Sequence, residues 1–463
     1  MEAMKLRSVY FLGIGGIGMS ALARYFLHTG AGVSGYDKTR TSLTDQLERE
    51  GMKIHYEEKP SLIPSDTELV IYTPAIPPEQ KEYQFILKNK FRMMKRSEVL
   101  GMIASDYFTI AVAGTHGKTT TSAMIAHILK SAGIPHIAFL GGVSKNYQTN
   151  FLVGTSASKP SVCVVEADEF DRSFLKLSPD IAIITSADPD HLDIYNTHSE
   201  MLASFEEFTG KIRKGGSLIL KSGVNIKPKG SSEYNVFRYS LDKENTSRPT
   251  ATKDFRAAGI HIKNGVYHFD FCMQNDVWKN VVLGLPGLFN LENAVAATSA
   301  AFLAGINSTR TGKALKSYQG VVRRFDFQLK QRGFVYIDDY AHHPEELKAC
   351  IEAVKEMYPG RKITGVFQPH LFTRTRDLSA EFAVSLGLLD EVILLEIYPA
   401  REKPIRGVTS KLILDKVKSA NKSIIGKESL VKYLRNAKPE VLLTLGAGDI
   451  DQMVQPIRKA FEK

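Results

Sequence analysis

Cysteine is scarce in this chain: Cys163, Cys272 and Cys350 are the only three in 463 residues, and no C-x-x-C spacing occurs. That excludes a disulfide framework and a zinc site of the usual spacing, and it points to a reducing compartment. No apolar run reaches the roughly 18 residues needed to cross a bilayer, so membrane insertion is not expected. The apolar stretch 9–23 has the look of a signal peptide, but it carries four glycines and no convincing cleavage site, and reads better as strand, turn and helix. Basic tracts interleaved with aromatics are missing too. The net charge of +10, from 60 Lys+Arg against 50 Asp+Glu, is scattered along the chain. Such a balance suits anionic small molecules such as nucleotides and argues against nucleic acid. A cytoplasmic enzyme is the expectation.

Hydrophobic residues make up 43% and charged residues 24%, as in an ordinary globular protein, and the length allows about two to four domains. The stretch 110–121, Ile-Ala-Val-Ala-Gly-Thr-His-Gly-Lys-Thr-Thr-Thr, organises the rest. Its first four residues are small and apolar, as in a buried parallel strand. Gly114 and Gly117 permit a tight turn, Lys118 brings a positive charge, and Thr119 and Thr120 bring hydroxyls ahead of an apolar helical run. Strand, glycine turn, Lys-Thr-Thr and helix make a phosphate cradle in which a threonine hydroxyl reaches Mg²⁺. Two residues separate the glycines where the strict P-loop has four, so the motif is a variant. A plain glycine turn before a core helix would leave Lys118 and the threonines unexplained.

Upstream, the strand 8–12 runs into Gly13, Gly15, Gly16 and Gly18, a G-x-G-x-x-G turn, and the strand 32–36 ends at Asp37, where a ribose-binding acid is expected. Taken alone this reads as a NAD-dependent oxidoreductase, though any nucleoside diphosphate uses the same geometry. A strand at 162–165 delivers Glu166, Asp168, Glu169 and Asp171. Four carboxylates at a strand end beside a phosphate loop call for a cation, and Mg²⁺ fits. A further strand, 181–185, leads to Asp188, Asp190, His191 and Asp193, a second metal or orienting site. Residues 260–269 form a hairpin by alternation and an Asn-Gly turn, read as an accessory β unit. Asn290 and Asn293, three apart, share a face near a helix start, where Asn290 could equally be a cap. From about 321, Arg323-Arg324-Phe325, Asp338-Asp339-Tyr340-Ala-His342-His343, Gln368-Pro369-His370, Thr373-Arg374-Thr-Arg376-Asp377, Tyr398 and Gly446-Ala-Gly448-Asp449 stand at strand ends of another α/β sheet.

Gly-Thr-His-Gly-Lys-Thr-Thr at 114–120, Glu-Ala-Asp-Glu at 166–169, Asp-Tyr-Ala-His at 339–342 and Gly-Ala-Gly-Asp at 446–449 together resemble the Mur ligase family, in order and over almost the whole chain. The resemblance implies an α/β protein of three domains. Residues 1–105 would be a Rossmann-like UDP-sugar domain, 106–320 a central P-loop-type ATPase domain with a parallel sheet, and 321–463 a Rossmann-like domain for the amino acid and part of ATP. Gly13, Gly15, Gly16, Gly18 and Asp37 would then serve UDP rather than NAD. Gly-Ile-Gly-Gly-Ile-Gly-Met-Ser at 13–20 and Asp-His-Leu-Asp at 190–193 point to the branch that uses UDP-N-acetylmuramate and L-alanine.

The implied reaction has two steps: the lactyl carboxylate takes the γ-phosphate of ATP, and the amine of L-alanine then displaces phosphate from the acyl phosphate. By the same resemblance, residues 114–120 (Thr115 and His116 included), Asn290 and Asn293 lie against ATP. Asp339 binds its ribose, and Arg324 reaches its phosphates. Thr119, Glu166 and His191 hold Mg²⁺. Tyr340, His343, Arg374 and Arg376 are candidates for the amino acid and acyl phosphate. Sites on separate domains imply closure, with hinges expected near Val321 and Ser105. A monomer or weak homodimer is expected. The alternatives are a ligase adding a tripeptide or another amino acid, the oxidoreductase above, and a non-catalytic nucleotide-binding module.

Overall fold

The structure, a computed structural model, describes the chain except residues 1–5, 155–160, 190–191, 196, 243–246, 251, 264–265, 401, 420 and 463, and the side chains of 192 and 193. Strands and helices alternate, and the strands form three sheets. The first has five parallel strands in the order Lys53–His55, Gly32–Tyr36, Ser8–Leu12, Leu69–Tyr72, Met93–Lys95. Its central strand, Ser-Val-Tyr-Phe-Leu, is buried throughout, as a strand covered on both faces must be. The strand order reverses beside it, so the turn that leaves it opens into the crevice where ligands of such sheets sit.

The second sheet has ten strands. Its parallel middle runs Ser217–Lys221, Ile181–Ile184, Phe108–Ala113, Val162–Glu166, His136–Ser144. The antiparallel neighbour Thr149–Val153 closes one edge. At the other, Asn235–Leu241 pairs parallel with Phe255–Lys263, which continues antiparallel into Val266–Met273 and Asp276–Leu283. The sheet is therefore mixed where a parallel one is expected. The hairpin read as an accessory unit extends the same sheet, because Tyr239, Ser240 and Leu241 supply backbone partners to Phe255, Arg256 and Ala257.

The third sheet runs Asp326–Gln331, Phe334–Asp339, Val441–Leu445, Ile363–Phe367, Glu391–Leu394, Asn421–Ile424, all parallel but for the first pair. Packing groups the first two sheets into one unit, Met1–Leu285 with Asn290–Gln319, and the third into another, Pro286–Phe289 with Gly320–Lys463. One core cluster spans the first two sheets, with Tyr25 of the first against Phe139 and Phe151 of the second at 5.6 and 6.0 Å.

Two details pin the connector near Ser105, where a hinge is expected. Arg213 donates to Ser105 O and Tyr107 O, both at 2.8 Å. A Cβ on Gly101 would lie 2.4 Å from Lys176 O. These contacts leave the Ser105 connector packed. Among the described residues no helix is long and apolar enough to cross a membrane.

Candidate active site

The loop after Phe108–Ala113 emerges between two neighbouring strands, Val162–Glu166 and Ile181–Ile184. One delivers Glu166 to its side and the other Thr185 and Ser186. Thr185 Oγ1 donates to Ala113 O at 3.1 Å and to His116 O. Ser186 Oγ accepts from His116 N at 2.7 Å and bonds Thr115 Oγ1 at 2.8 Å. Gly114, at φ +130°, has no room for a Cβ, which would stand 2.2 Å from Thr185 Oγ1. Gly117, at φ +84°, caps the helix Lys118–Ser131 without a side chain. A Cβ there would lie 2.5 Å from Asn293 Oδ1, which also accepts from Thr121 Oγ1 at 3.2 Å. The loop is thus braced by its own protein, while the first turn of its helix has no side-chain cap. That arrangement aims backbone N–H groups and the positive helix end at an anion. Asn290 and Asn293 are both buried on the helix Leu288–Leu303.

The four carboxylates after Val162–Glu166 separate in space. Glu169, wholly buried, pairs with Lys118: Nζ to Oε1 is 2.8 Å, and Nζ also donates to Gly114 O at 2.6 Å. Burial pulls the Lys118 pKa down, but Glu169, Asp168 and Glu166 outweigh it and hold the ammonium above the ordinary lysine value. Asp168 meets Arg96 at 3.3 Å, and Asp171 meets Lys95 at 3.7 Å. Glu166 Oε2 accepts from Gly141 N at 3.2 Å. The carboxylate occupies the space a side chain would take there, since a Cβ on Gly141 would lie 2.3 Å from Oε2. A carboxylate seated in such a cradle and the buried Thr119 hydroxyl are hard oxygen donors of the kind Mg²⁺ accepts together with phosphate oxygens. His191 lies outside the described residues. Among those described, no three His, Cys, Asp or Glu converge on a metal.

The glycine turn of the first sheet is similarly open. Gly16 is the N-cap of the helix Ile17–His28, with no side-chain cap. Asp37 turns inward: Oδ2 accepts from Gly15 N at 2.7 Å and Oδ1 from Thr39 N at 3.1 Å. Gly15 has no side chain because Asp37 Oδ2 and Thr44 Cγ2 would each be 2.8 Å from its Cβ. Asp37, read from spacing as a ribose-binding acid, braces the turn in the structure. Arg96 packs on Gly18, whose Cβ would lie 2.8 Å from Nη1. Arg96, Glu166 and Asp168 line one cleft with Ser97 and Ser173.

In the second unit, Asp339 is buried and accepts from Phe325 N at 2.6 Å and Ala341 N at 2.7 Å. Burial raises its pKa to about 6, against the lowering effect of Arg324 and of the two amides. Asp339 thus holds the turn that carries Arg323 and Arg324. Arg323, at φ +62°, donates to Asp338 Oδ2 at 3.1 Å and Gly446 O at 2.6 Å and is structural. Arg324 lies 4.9 Å over the Tyr340 ring, with Glu346 at 3.9 Å. His343 is buried and caps the helix Pro344–Met357 in a capping box with Glu346. Arg374 is half-buried and Arg376 exposed and paired with Asp377 at 2.6 Å. Rings run in series from Tyr340 to His342 at 5.2 Å, His370 at 6.0 Å and Tyr398 at 5.7 Å.

Sequence reasoning missed Arg96, Gly141 and Ser186, which belong to no motif. Glu169 stood in the acidic run with nothing to mark it as the lysine's partner.

Comparison with known proteins gives a consistent answer. Family models match along the chain: "Mur ligase family, catalytic domain" over residues 8–108, "Mur ligase middle domain" over 112–301 and "Mur ligase, glutamate ligase domain" over 323–448. A protein of Parabacteroides distasonis named UDP-N-acetylmuramate–L-alanine ligase is 48% identical, the match covering 100% of this chain and 99% of that protein. One of the same name from Porphyromonas gingivalis is 47% identical, covering 99% of each. The crystal structure of UDP-N-acetylmuramate-alanine ligase from Thermotoga maritima superposes with a TM-score of 0.82 at 26% identity, covering 98% of this chain and 99% of that one. A murein peptide ligase from Psychrobacter arcticus shares the fold, at a TM-score of 0.70 and 20% identity over 98% of each chain.

Proposed function

The chain belongs to the Mur ligase family, and on that premise we propose that it joins L-alanine to UDP-N-acetylmuramate at the expense of ATP, in peptidoglycan precursor synthesis. It is an ATP-dependent acid–amino-acid ligase. The observation that carries this reading is the pairing, in one packed unit, of two uncapped glycine-led helix ends, at Gly16 and Gly117, each suited to a polyanion. The oxidoreductase reading of Gly13–Gly18 finds no support, and it leaves Lys118 and Glu166 without work.

Charge is the central difficulty, because the lactyl carboxylate and the triphosphate repel each other. Lys118 neutralises phosphate oxygens as a point charge, and the amides at 115–119 position them. Thr119 and Glu166 would hold Mg²⁺, which supplies neutralisation of the charge that develops on the phosphoryl oxygens. His191 is kept as a proposed ligand. The Gly16 helix end takes the UDP pyrophosphate and so orients the lactyl carboxylate. That carboxylate attacks the γ-phosphorus and ADP leaves; the alanine amine then attacks the acyl carbon and phosphate leaves. Arg324 is proposed for the phosphates. Arg374, Arg376, Tyr340 and His343 are proposed for alanine and the acyl phosphate, the buried His343 through the placement of its helix. Three functional domains with boundaries near 105 and 320, a monomer or weak homodimer, and a cytoplasmic location beside the ATP pool complete the proposal.

The test is ADP release with UDP-N-acetylmuramate and either L-alanine or an L-alanine-containing tripeptide. Release with L-alanine alone is expected. Release only with the tripeptide would move the chain to the peptide-adding branch.

A further inference from the structure

Asp168 and Glu169 are consecutive, yet they hold cations that belong to different sheets. Glu169 is paired with Lys118 of the phosphate loop. Asp168 is paired with Arg96, whose guanidinium lies on Gly18 in the first turn of the helix Ile17–His28. A cation at the positive end of a helix is unfavourable by itself, so Arg96 is placed for an anion. In the structure that anion is Asp168. Lys118, at the other helix end, likewise has a carboxylate for its anion. The loop that carries both acids is strained just beyond them, with Asp171 and Arg172 at φ +54° and +53°. Glu169 is also tied through its own backbone by Tyr195, whose hydroxyl donates to Glu169 O at 2.5 Å.

We propose that Asp168 and Glu169 form a two-armed counter-ion latch: each carboxylate stands in for the anion of one substrate, and filling one site loosens the arm on the other. This rests on the reading of the two helix ends as the ATP and UDP-sugar sites. When a phosphate takes Lys118, the Glu169–Lys118 pair opens, and of the ion pairs that anchor the loop among the described residues, Glu169–Lys118, Asp168–Arg96 and Asp171–Lys95, the first is lost. The strained segment relaxes, the Asp168–Arg96 pair weakens, and Arg96 becomes available to the anionic UDP-sugar. By reciprocity the UDP-sugar favours ATP to the same degree. Arg96 is thereby a substrate-binding residue, and Asp168 and Glu169 are positioning residues.

Calorimetric titration of UDP-N-acetylmuramate into the full-length protein, with and without a saturating β,γ-imido analogue of ATP and magnesium, tests the latch. In the wild type the analogue tightens UDP-sugar binding by about fivefold or more, the low end of usual coupling. Asp168→Asn binds the UDP-sugar without nucleotide as tightly as the loaded wild type does, and the analogue adds little. Unchanged coupling in Asp168→Asn, absent coupling in the wild type, or weaker UDP-sugar binding in both states of the variant overturns the latch. A second arm uses Glu169→Gln, read by thermal unfolding. The variant melts lower when empty, and the analogue raises its Tm by more than it raises that of the wild type; an equal or smaller rise counts against the latch. A wild type that binds neither ligand would instead overturn the functional reading.

Discussion

Gly141 and Glu166 share one space: a Cβ on Gly141 would stand 2.3 Å from Glu166 Oε2, and the glycine N–H donates to that same oxygen at 3.2 Å. The strand His136–Ser144 thereby sets where the proposed metal ligand points. Gly141→Ala should displace the carboxylate and lower activity about 10- to 100-fold, the usual effect of losing a residue that orients a ligand. The magnesium concentration for half-maximal rate should rise with it. An alanine variant with wild-type rate at limiting magnesium would refute this.

Glu169 is wholly buried and the Lys118 side chain is 13% exposed, so removing the lysine takes away the cation paired with a buried carboxylate. Lys118→Met should abolish ADP release and lower stability by about 3–5 kcal/mol, the cost of breaking a buried pair. Adding Glu169→Leu should restore much of the stability and none of the activity. Urea unfolding of the two variants decides the point, and a single variant as stable as the wild type would contradict it.

Gly16 is not required by its own protein. Its φ and ψ of −62° and 140° suit any residue. The nearest atom to a Cβ there, Gly13 O, is 3.5 Å away. Gly16→Ala should therefore cost at most about 1 kcal/mol of stability. A methyl at the helix end should nonetheless weaken UDP-sugar binding about tenfold, or about 1.4 kcal/mol, with the KM for ATP unchanged. Equal rises in both KM values would argue against a pyrophosphate at this turn.

Asp339 makes stability depend on pH with a definite sign. Burial lifts its pKa from 3.8 to about 6 in the folded protein. Between these values the folded state binds more protons than the unfolded one, so this group's contribution to stability falls as pH rises and levels off above about 6. The size is of order 2–3 kcal/mol at about 1.4 kcal/mol per pKa unit. Asp339→Asn should flatten the denaturant midpoint between about pH 4 and 6 relative to the wild type. A variant whose midpoint keeps the wild-type slope would exclude Asp339 as its source.

The phosphate loop, the glycine turn and the strand that leads to Glu166 were legible in one dimension, because each is a local string whose residue types impose its geometry. Most strands of the parallel middle and of the third sheet were legible for the same reason, as short apolar runs bounded by glycine, proline or charge. The antiparallel edges were not: pairing such as Asp326–Gln331 with Phe334–Asp339, or Thr149–Val153 with His136–Ser144, depends on partners the local pattern does not name. The adjacent arginines show the same limit. Arg323 and Arg324 are indistinguishable as letters, and both guanidinium groups lie over Tyr340, at 5.3 and 4.9 Å, yet only Arg323 is sent by a left-handed turn into Asp338 and Gly446.

The linear order of residues determined the chemistry on offer: a lysine and threonines behind a glycine turn, a second glycine turn, and acids at the neighbouring strand ends. Tertiary structure alone decided which acid meets which cation. Sheet order put Val162–Glu166 beside Phe108–Ala113, and the turn after it aimed Glu166 at Gly141, Asp168 at Arg96 and Glu169 at Lys118. Those partners lie 25, 72 and 51 positions away, and Coulomb attraction acts on distance in space, to which spacing along the chain is no guide.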